Sequence, residues 1–145
     1  MDKTSLETIN KGKRNFITLT IGIFLLIGII IGLFTNYKEE TLVCDKAKDN
    51  CYVEKTNMLN SKKREDIIAI SNIANVLYTP KTVAGNMYAK GYTAYYLSFY
   101  SKQKESIKIF STEYYEKEQV KEVANNLRQQ LKDPKAKIIK ITQKL

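Results

Sequence analysis

A run of 19 residues without a charge, "FITLTIGIFLLIGIIIGLF" at residues 16–34, constrains this chain more than any other feature. As a helix with a rise of 1.5 Å per residue it would be about 30 Å long, the thickness of a bilayer core. The roughly 110 residues that follow make one small domain, which could not bury such a helix on every side. The run therefore predicts a transmembrane helix over residues 16–35. A cleaved signal peptide is the alternative, but the run is long for one and no A-x-A pattern follows it.

Charges on either side of the apolar run predict its orientation. The six residues after it, "TNYKEE", hold one lysine and two glutamates, whereas four basic residues precede it: Lys3, Lys11, Lys13 and Arg14. Positively charged flanks stay in the cytoplasm. Residues 1–15 are therefore predicted to be a cytoplasmic segment and the following domain to be extracytoplasmic, in a single-pass protein of the cytoplasmic membrane.

Two glycines in the apolar run, Gly28 and Gly32, form a GxxxG pair. Such a pair lets helix backbones approach closely, which predicts packing against a partner helix or a homodimer through the transmembrane helix. Because glycine is common in membrane helices generally, a role without specific pairing stays open.

The chain holds two cysteines, Cys44 and Cys51, in strand-like runs on either side of "AKDN", which contains the turn-forming Asp49 and Asn50. A tight hairpin would place the two cysteines directly opposite each other. An extracytoplasmic compartment permits disulfides, so a structural disulfide is predicted. Free thiols or a redox pair are the alternatives, although a thioredoxin-like site wants C-x-x-C. Zinc would need two further ligands in a chain without histidine, so no metal is expected.

The rest of the chain predicts an α+β domain over residues 41–132, after a juxtamembrane linker at 36–40. Two β-prone runs flank a break at Ser71 and Asn72, and "GYTAYYLSFY" and "SIKIFS" form a hairpin. The segment "PKTVAGNMYAKG" between them is a loop or an irregular edge strand. From Glu116 the pattern predicts one amphipathic helix that lies on a face of the sheet and buries Val120, Val123, Ala124, Leu127 and Leu131. Residues 133–145 are either a mobile tail or an edge strand.

This order of elements resembles that of membrane-anchored bacterial PH-like domains. The resemblance covers about residues 41–132 and lies in the order of strands ("REDIIAISNIANVLYT"), hairpin ("TAYYLSFYSKQKESIKIFS") and closing helix ("EKEQVKEVANNLRQQL"), with no diagnostic motif. It implies a bent antiparallel sheet capped by a carboxy-terminal helix, used as a binding platform. No family site residues can be transferred, and the cysteine pair is not a PH-like hallmark, so a generic sheet-plus-helix fold stays open.

Recognisable catalytic chemistry is missing from the sequence. The absence of histidine excludes serine-histidine and cysteine-histidine mechanisms. Glu65 and Asp66 would project to opposite sides of a strand, and no G-x-x-x-x-G-K-[ST] loop is present. We therefore expect neither an enzyme nor a cofactor.

The remaining features point to binding. Tyr92, Tyr96 and Tyr100 alternate onto one face of a predicted strand and form a candidate partner surface, although such a stripe can also be the half-buried face of a sheet. The net charge is +9, and since residues 1–14 carry +2, the chain beyond them carries +7. Its lysines are scattered among glutamates, which argues against a nucleic-acid partner.

The predicted function is a membrane-anchored, non-catalytic binding or scaffolding domain, an accessory subunit that binds a membrane-protein partner. The alternative is a module that binds anionic lipid or an anionic polymer at the membrane surface. A redox-active thiol protein is the third hypothesis.

Overall fold

The structure is a computed structural model that describes the backbone of residues 3–145 and the side chains of residues 16–145. The four basic residues on which the predicted orientation depends, Lys3, Lys11, Lys13 and Arg14, lie outside the described side chains. The described chain contains two α-helices and seven strands. Their order is α1 (Lys3–Thr35), β1 (Tyr37–Asp45), β2 (Asn50–Asn57), β3 (Lys62–Ile68), a 3-10 turn (Ile70–Asn72), β4 (Ile73–Val83), β5 (Tyr92–Ser101), β6 (Ser106–Lys108), α2 (Lys117–Lys132) and β7 (Ile138–Lys144).

Helix α1 contains the whole apolar run. Its segment Phe16–Thr35 is long and apolar enough to cross a membrane, and no other part of the described chain buries it. A single residue, Asn36, separates α1 from β1.

The strands form two antiparallel sheets. The first sheet has the order β3-β2-β1-β7, and the second has the order β4-β5-β6. β1 and β2 pair in the predicted register, with Cys44 opposite Cys51, and the structure contains the disulfide between them. The α+β class is confirmed at this level.

Helix α2 closes the domain by contacting β4 and β5 of the second sheet and β7 of the first. The predicted apolar stripe is confirmed, because Val120, Ala124 and Leu127 are buried and Val123 and Leu131 are half-buried against the same core. Burying each of the larger aliphatic side chains is worth about 2 kcal/mol. One hydrophobic core, to which both sheets and α2 contribute, includes Leu42, Cys44, Cys51, Val53, Val76, Leu97, Phe99 and Ile139.

Two predicted boundaries change. β1 begins at Tyr37, so the linker predicted at 36–40 was wrong except for Asn36. The segment "KEE" looks like a polar linker, but Glu40 is buried and its carboxylate accepts hydrogen bonds from the backbone and hydroxyl of Ser111, both at 2.6 Å. At the other end of the chain, a mobile tail and an edge strand were the two predicted alternatives. Residues 138–144 form the edge strand, because β7 pairs with β1 along seven residues.

Candidate functional site

The three predicted tyrosines lie on β5, the central strand of the second sheet. Successive side chains of a strand alternate between its faces, so Tyr92, Tyr96 and Tyr100 share one face while Leu97 and Phe99 lie in the core. Tyr92 is exposed and the other two are half-buried. We call Tyr92, Tyr96 and Tyr100 the tyrosine face. Its rings are positioned by the sheet and are still open to contact, but its use by a partner stays a prediction.

Tyr96 is the centre of a polar cluster on this face. Its hydroxyl donates a hydrogen bond to the carboxylate of Glu113 and accepts one from Lys81 Nζ at 2.8 Å. Lys108 Nζ lies 3.8 Å from the centre of the Tyr96 ring, in a cation–π arrangement. Glu113 and Lys81 thus hold the hydroxyl of Tyr96 while Lys108 contacts its ring. Together these three contacts fix the orientation of the side chain.

The cluster also shifts the pKa values of its members. The hydrogen bond from Tyr96, with help from Lys81, holds the pKa of the Glu113 carboxyl below its usual value. The pKa of Lys81 is raised by its hydrogen bonds to Tyr96 and Glu113, whereas burial lowers the pKa of Lys108. Glu113 and Lys81 therefore stay ionised near neutral pH, and the cluster offers a carboxylate and ammonium groups beside an aromatic ring.

Beyond Tyr92 the β4–β5 hairpin carries a further aromatic surface. The rings of Tyr92 and Tyr115 are in contact, with 5.8 Å between their centres. The loop between β4 and β5 exposes Met87 and Tyr88 almost completely. A pair of glycines closes this loop, because a Cβ on Gly85 would lie 2.5 Å from the backbone nitrogen of Gly91. The sequence does not predict this contact, because nothing local indicates that two glycines six residues apart will touch.

A groove lies between β3 of the first sheet and the segment around β6 of the second. It has a volume of about 330 Å³ and is lined by Val53, Lys55, Glu65, Asp66, Ile67, Ile107, Lys108, Ile109, Phe110 and Ser111. Lys55 Nζ lies 2.8 Å from Glu65 and 3.8 Å from the buried Glu40. The hydrogen bond from Lys55 is the main cause of the lowered pKa of Glu65. The groove holds charges that already neutralise each other, which gives a charged ligand little to bind.

The disulfide lies inside the protein. Cys44 and Cys51 are both fully buried and belong to the hydrophobic core. Thiol–disulfide exchange requires an attacking thiolate to reach one of the sulfurs. The burial of both sulfurs is typical of a structural disulfide and argues against the redox hypothesis.

Neither a metal site nor a packed helix surface is formed by the described residues. Within residues 16–145 the structure brings together no group of three histidine, cysteine, aspartate or glutamate side chains that could hold a metal ion. In α1, a Cβ on Gly28 would meet nothing within 4 Å, and one on Gly32 would meet only the side chain of Asn36. This surface of α1 is open in the single chain, so the predicted helix packing stays a prediction.

The chain was compared with known proteins at three levels. No model of a protein family, no curated protein and no solved structure matches it.

Proposed function

We propose that this chain is a single-pass membrane protein that displays a PH-like, non-catalytic binding domain outside the cytoplasmic membrane and serves there as an accessory subunit of a membrane complex. The observation that carries the proposal is that no residue of the apolar segment Phe16–Thr35 is buried by the described chain. An apolar helix of this length that no protein covers is stable in a bilayer and not in water. The domain begins one residue after this helix, so it is held at the membrane surface.

The tyrosine face is the proposed contact with the partner. Tyrosine is enriched in protein interfaces because it combines a large apolar ring with a polar hydroxyl and few rotatable bonds. Here the sheet fixes the backbone of all three residues, and the polar cluster orients Tyr96. A surface ordered in advance loses little conformational entropy on binding.

Crosslinking in native membranes, followed by purification of the full-length protein, tests this proposal. A stoichiometric membrane protein should copurify with the unaltered chain and be lost from a Tyr92→Ala/Tyr100→Ala variant. Tyr88→Ala is the matched control, because it removes an equally large and more exposed tyrosine from outside the tyrosine face. Tyr96→Phe keeps the ring but removes the hydroxyl that binds Glu113, and should weaken the complex only in part. Recovery of the protein without any protein partner would overturn the proposal.

The alternative, a module for anionic lipid or an anionic polymer, is favoured by the net charge of +7 beyond the amino-terminal segment. Several lysines of the domain are already paired, as in Lys62 with Glu54 and Lys63 with Glu65, which weakens this alternative. It predicts binding to vesicles that increases with the fraction of phosphatidylglycerol and decreases with salt. Binding independent of both would remove it.

A further inference from the structure

We infer that the turn between β2 and β3, residues 58–61, is a second membrane contact that inserts Met58 and Leu59 into the bilayer interface beside α1. Two of the exposed side chains of this turn are apolar: Met58 and Leu59 are 54% and 47% exposed. Exposing a large apolar side chain to water is unfavourable. Here both apolar side chains lie next to the end of the proposed transmembrane helix. The inference rests on the proposed membrane anchor.

Hydrogen bonds fix this turn at the carboxy-terminal end of α1. The side chain of Asn57 donates from Nδ2 to the carbonyl of Phe34 at 3.3 Å, and the backbone N–H of Met58 donates to the carbonyl of Asn36 at 3.2 Å. Both acceptors lie one residue from Thr35, where the apolar segment ends. The turn is therefore held at the depth where a bilayer core gives way to headgroups.

Asn57 makes the turn rigid as well as attached. It is buried, and its Oδ1 accepts hydrogen bonds from the backbone of Leu59 at 3.0 Å and of Ser61 at 2.9 Å. Asn60 adopts a φ of 61°, the left-handed conformation that asparagine tolerates in tight turns. The two apolar side chains consequently project from a preformed loop, and inserting them requires no rearrangement.

The same contacts satisfy the end of the helix. The last carbonyls of a helix lack partners within it, and near a bilayer core an unpaired carbonyl is expensive. Two of these last carbonyls have partners here: the N–H of Asn36 donates to Gly32, and Asn57 donates to Phe34. Asn57 therefore connects the carboxy-terminal end of α1 to the turn between β2 and β3. Both are placed at the depth of the membrane interface.

Apolar insertion, rather than attraction to anionic lipid, is the predicted mode. The nearby lysines are occupied, since Lys38 donates to the side chain of Asn60, and Lys62 and Lys63 pair with Glu54 and Glu65. Contact with the bilayer should thus occur with zwitterionic lipid as well.

The test uses the full-length protein with its disulfide intact, labelled with an environment-sensitive fluorophore at one introduced cysteine and reconstituted in nanodiscs. Leu59→Cys reports on the turn, and Ile27→Cys reports on the middle of α1. Lys48→Cys lies in the turn at the other end of β2 and is the matched control, with a side chain 74% exposed. Each is measured in phosphatidylcholine with and without brominated acyl chains, and again with phosphatidylglycerol added. Met58→Cys repeats the measurement if Leu59→Cys does not assemble.

We expect brominated lipid to reduce the emission of the fluorophore at positions 27 and 59 but not at position 48. The reduction should be equal in both lipid mixtures. Loss at position 27 without loss at 59 would overturn the inference and leave the anchor standing. Loss at 59 only with phosphatidylglycerol present would replace apolar insertion by charge attraction. Absence of loss at 27 would show that α1 does not span the bilayer, so the proposed function itself would fail.

Discussion

The two ends of strand β2 are stabilised in opposite ways. At its start, the turn to β1 is polar and bound to the domain itself: Cys51 is crosslinked to Cys44, and Asp49 accepts hydrogen bonds from the backbone and hydroxyl of Ser71. At its end, the turn to β3 is apolar at the tip and bound to α1 through Asn57. One hairpin strand thus connects a water-facing end, closed covalently, to an end that fits the surface of a membrane.

The largest effect is expected from breaking the covalent end. A Cys44→Ala/Cys51→Ala variant should lose about 2 to 3 kcal/mol of unfolding free energy, because the bridge no longer restricts the unfolded chain. Denaturation by urea in detergent micelles, with and without reductant, measures this loss. Reductant should lower the midpoint of the unaltered protein and leave that of the variant unchanged. An unaltered midpoint in the variant would show that the staple is dispensable.

Removing the side chain that organises the other end should have a slightly smaller effect. Asn57→Ala deprives the N–H groups of Leu59 and Ser61 of their acceptor and the carbonyl of Phe34 of its donor. A loss of about 1 to 2 kcal/mol is expected, because these partly buried polar groups lose their hydrogen-bond partner. The same urea experiment measures it. Asn60→Gly in the same turn is the control and should change stability by less than about 0.5 kcal/mol, because glycine accepts a positive φ.

Next comes the contact between the covalent end and α2. Lys46 Nζ donates to the carbonyls of Gln130 at 2.8 Å and Asp133 at 2.6 Å, where it satisfies the carboxy-terminal end of the helix. Lys46→Ala should reduce stability by about 1 kcal/mol, since a cation at this end of a helix is favourable. Lys48→Ala, two residues away, removes only a weak exposed ion pair with Asp45 and should be near neutral. Equal effects of the two substitutions would contradict the assigned contact.

The smallest effect concerns pH. Hydrogen bonds from Ser71 hold the pKa of the Asp49 carboxyl below its ordinary value of 3.8. Because the pKa is lower in the folded state, the stabilisation is complete above the ordinary value and is lost as the pH falls through the folded pKa. The melting temperature should therefore fall more in the unaltered protein than in Asp49→Asn between about pH 5 and pH 2.5. Parallel pH profiles for the two proteins would show that this carboxylate adds nothing to the fold.

What the sequence predicted correctly shares one property: the signal lies within a short stretch of chain. The apolar run, the cysteine hairpin with its register and the apolar stripe of α2 each follow from local periodicity and spacing. The bend at Ser71 and Asn72 likewise corresponds to the 3-10 turn before β4.

What could not be predicted depends on partners far away in the chain. Glu40 looks solvated because its partner Ser111 is 71 residues away. From the sequence, residues 133–145 could be a mobile tail. Whether they form a strand depends on the free edge of β1, with which β7 pairs. For the candidate site, the alternation of the tyrosines was readable, but the placement of Glu113, Lys81 and Lys108 around Tyr96 was not, because three separate segments meet there.

The single residue between α1 and β1 has a mechanical consequence. A flexible tether would let the domain swing and rise, but here the backbone of Asn36 is hydrogen-bonded at both ends, to Gly32 and to Met58. With nine residues at about 3.3 Å each, β1 reaches no more than about 30 Å from the end of the helix. Helix α1 and the first sheet are therefore expected to move together as one rigid unit. If α1 spans a bilayer as proposed, a rotation of α1 about its own axis would turn the tyrosine face with it. A protein that bound the helix within the bilayer would then also orient the surface outside it.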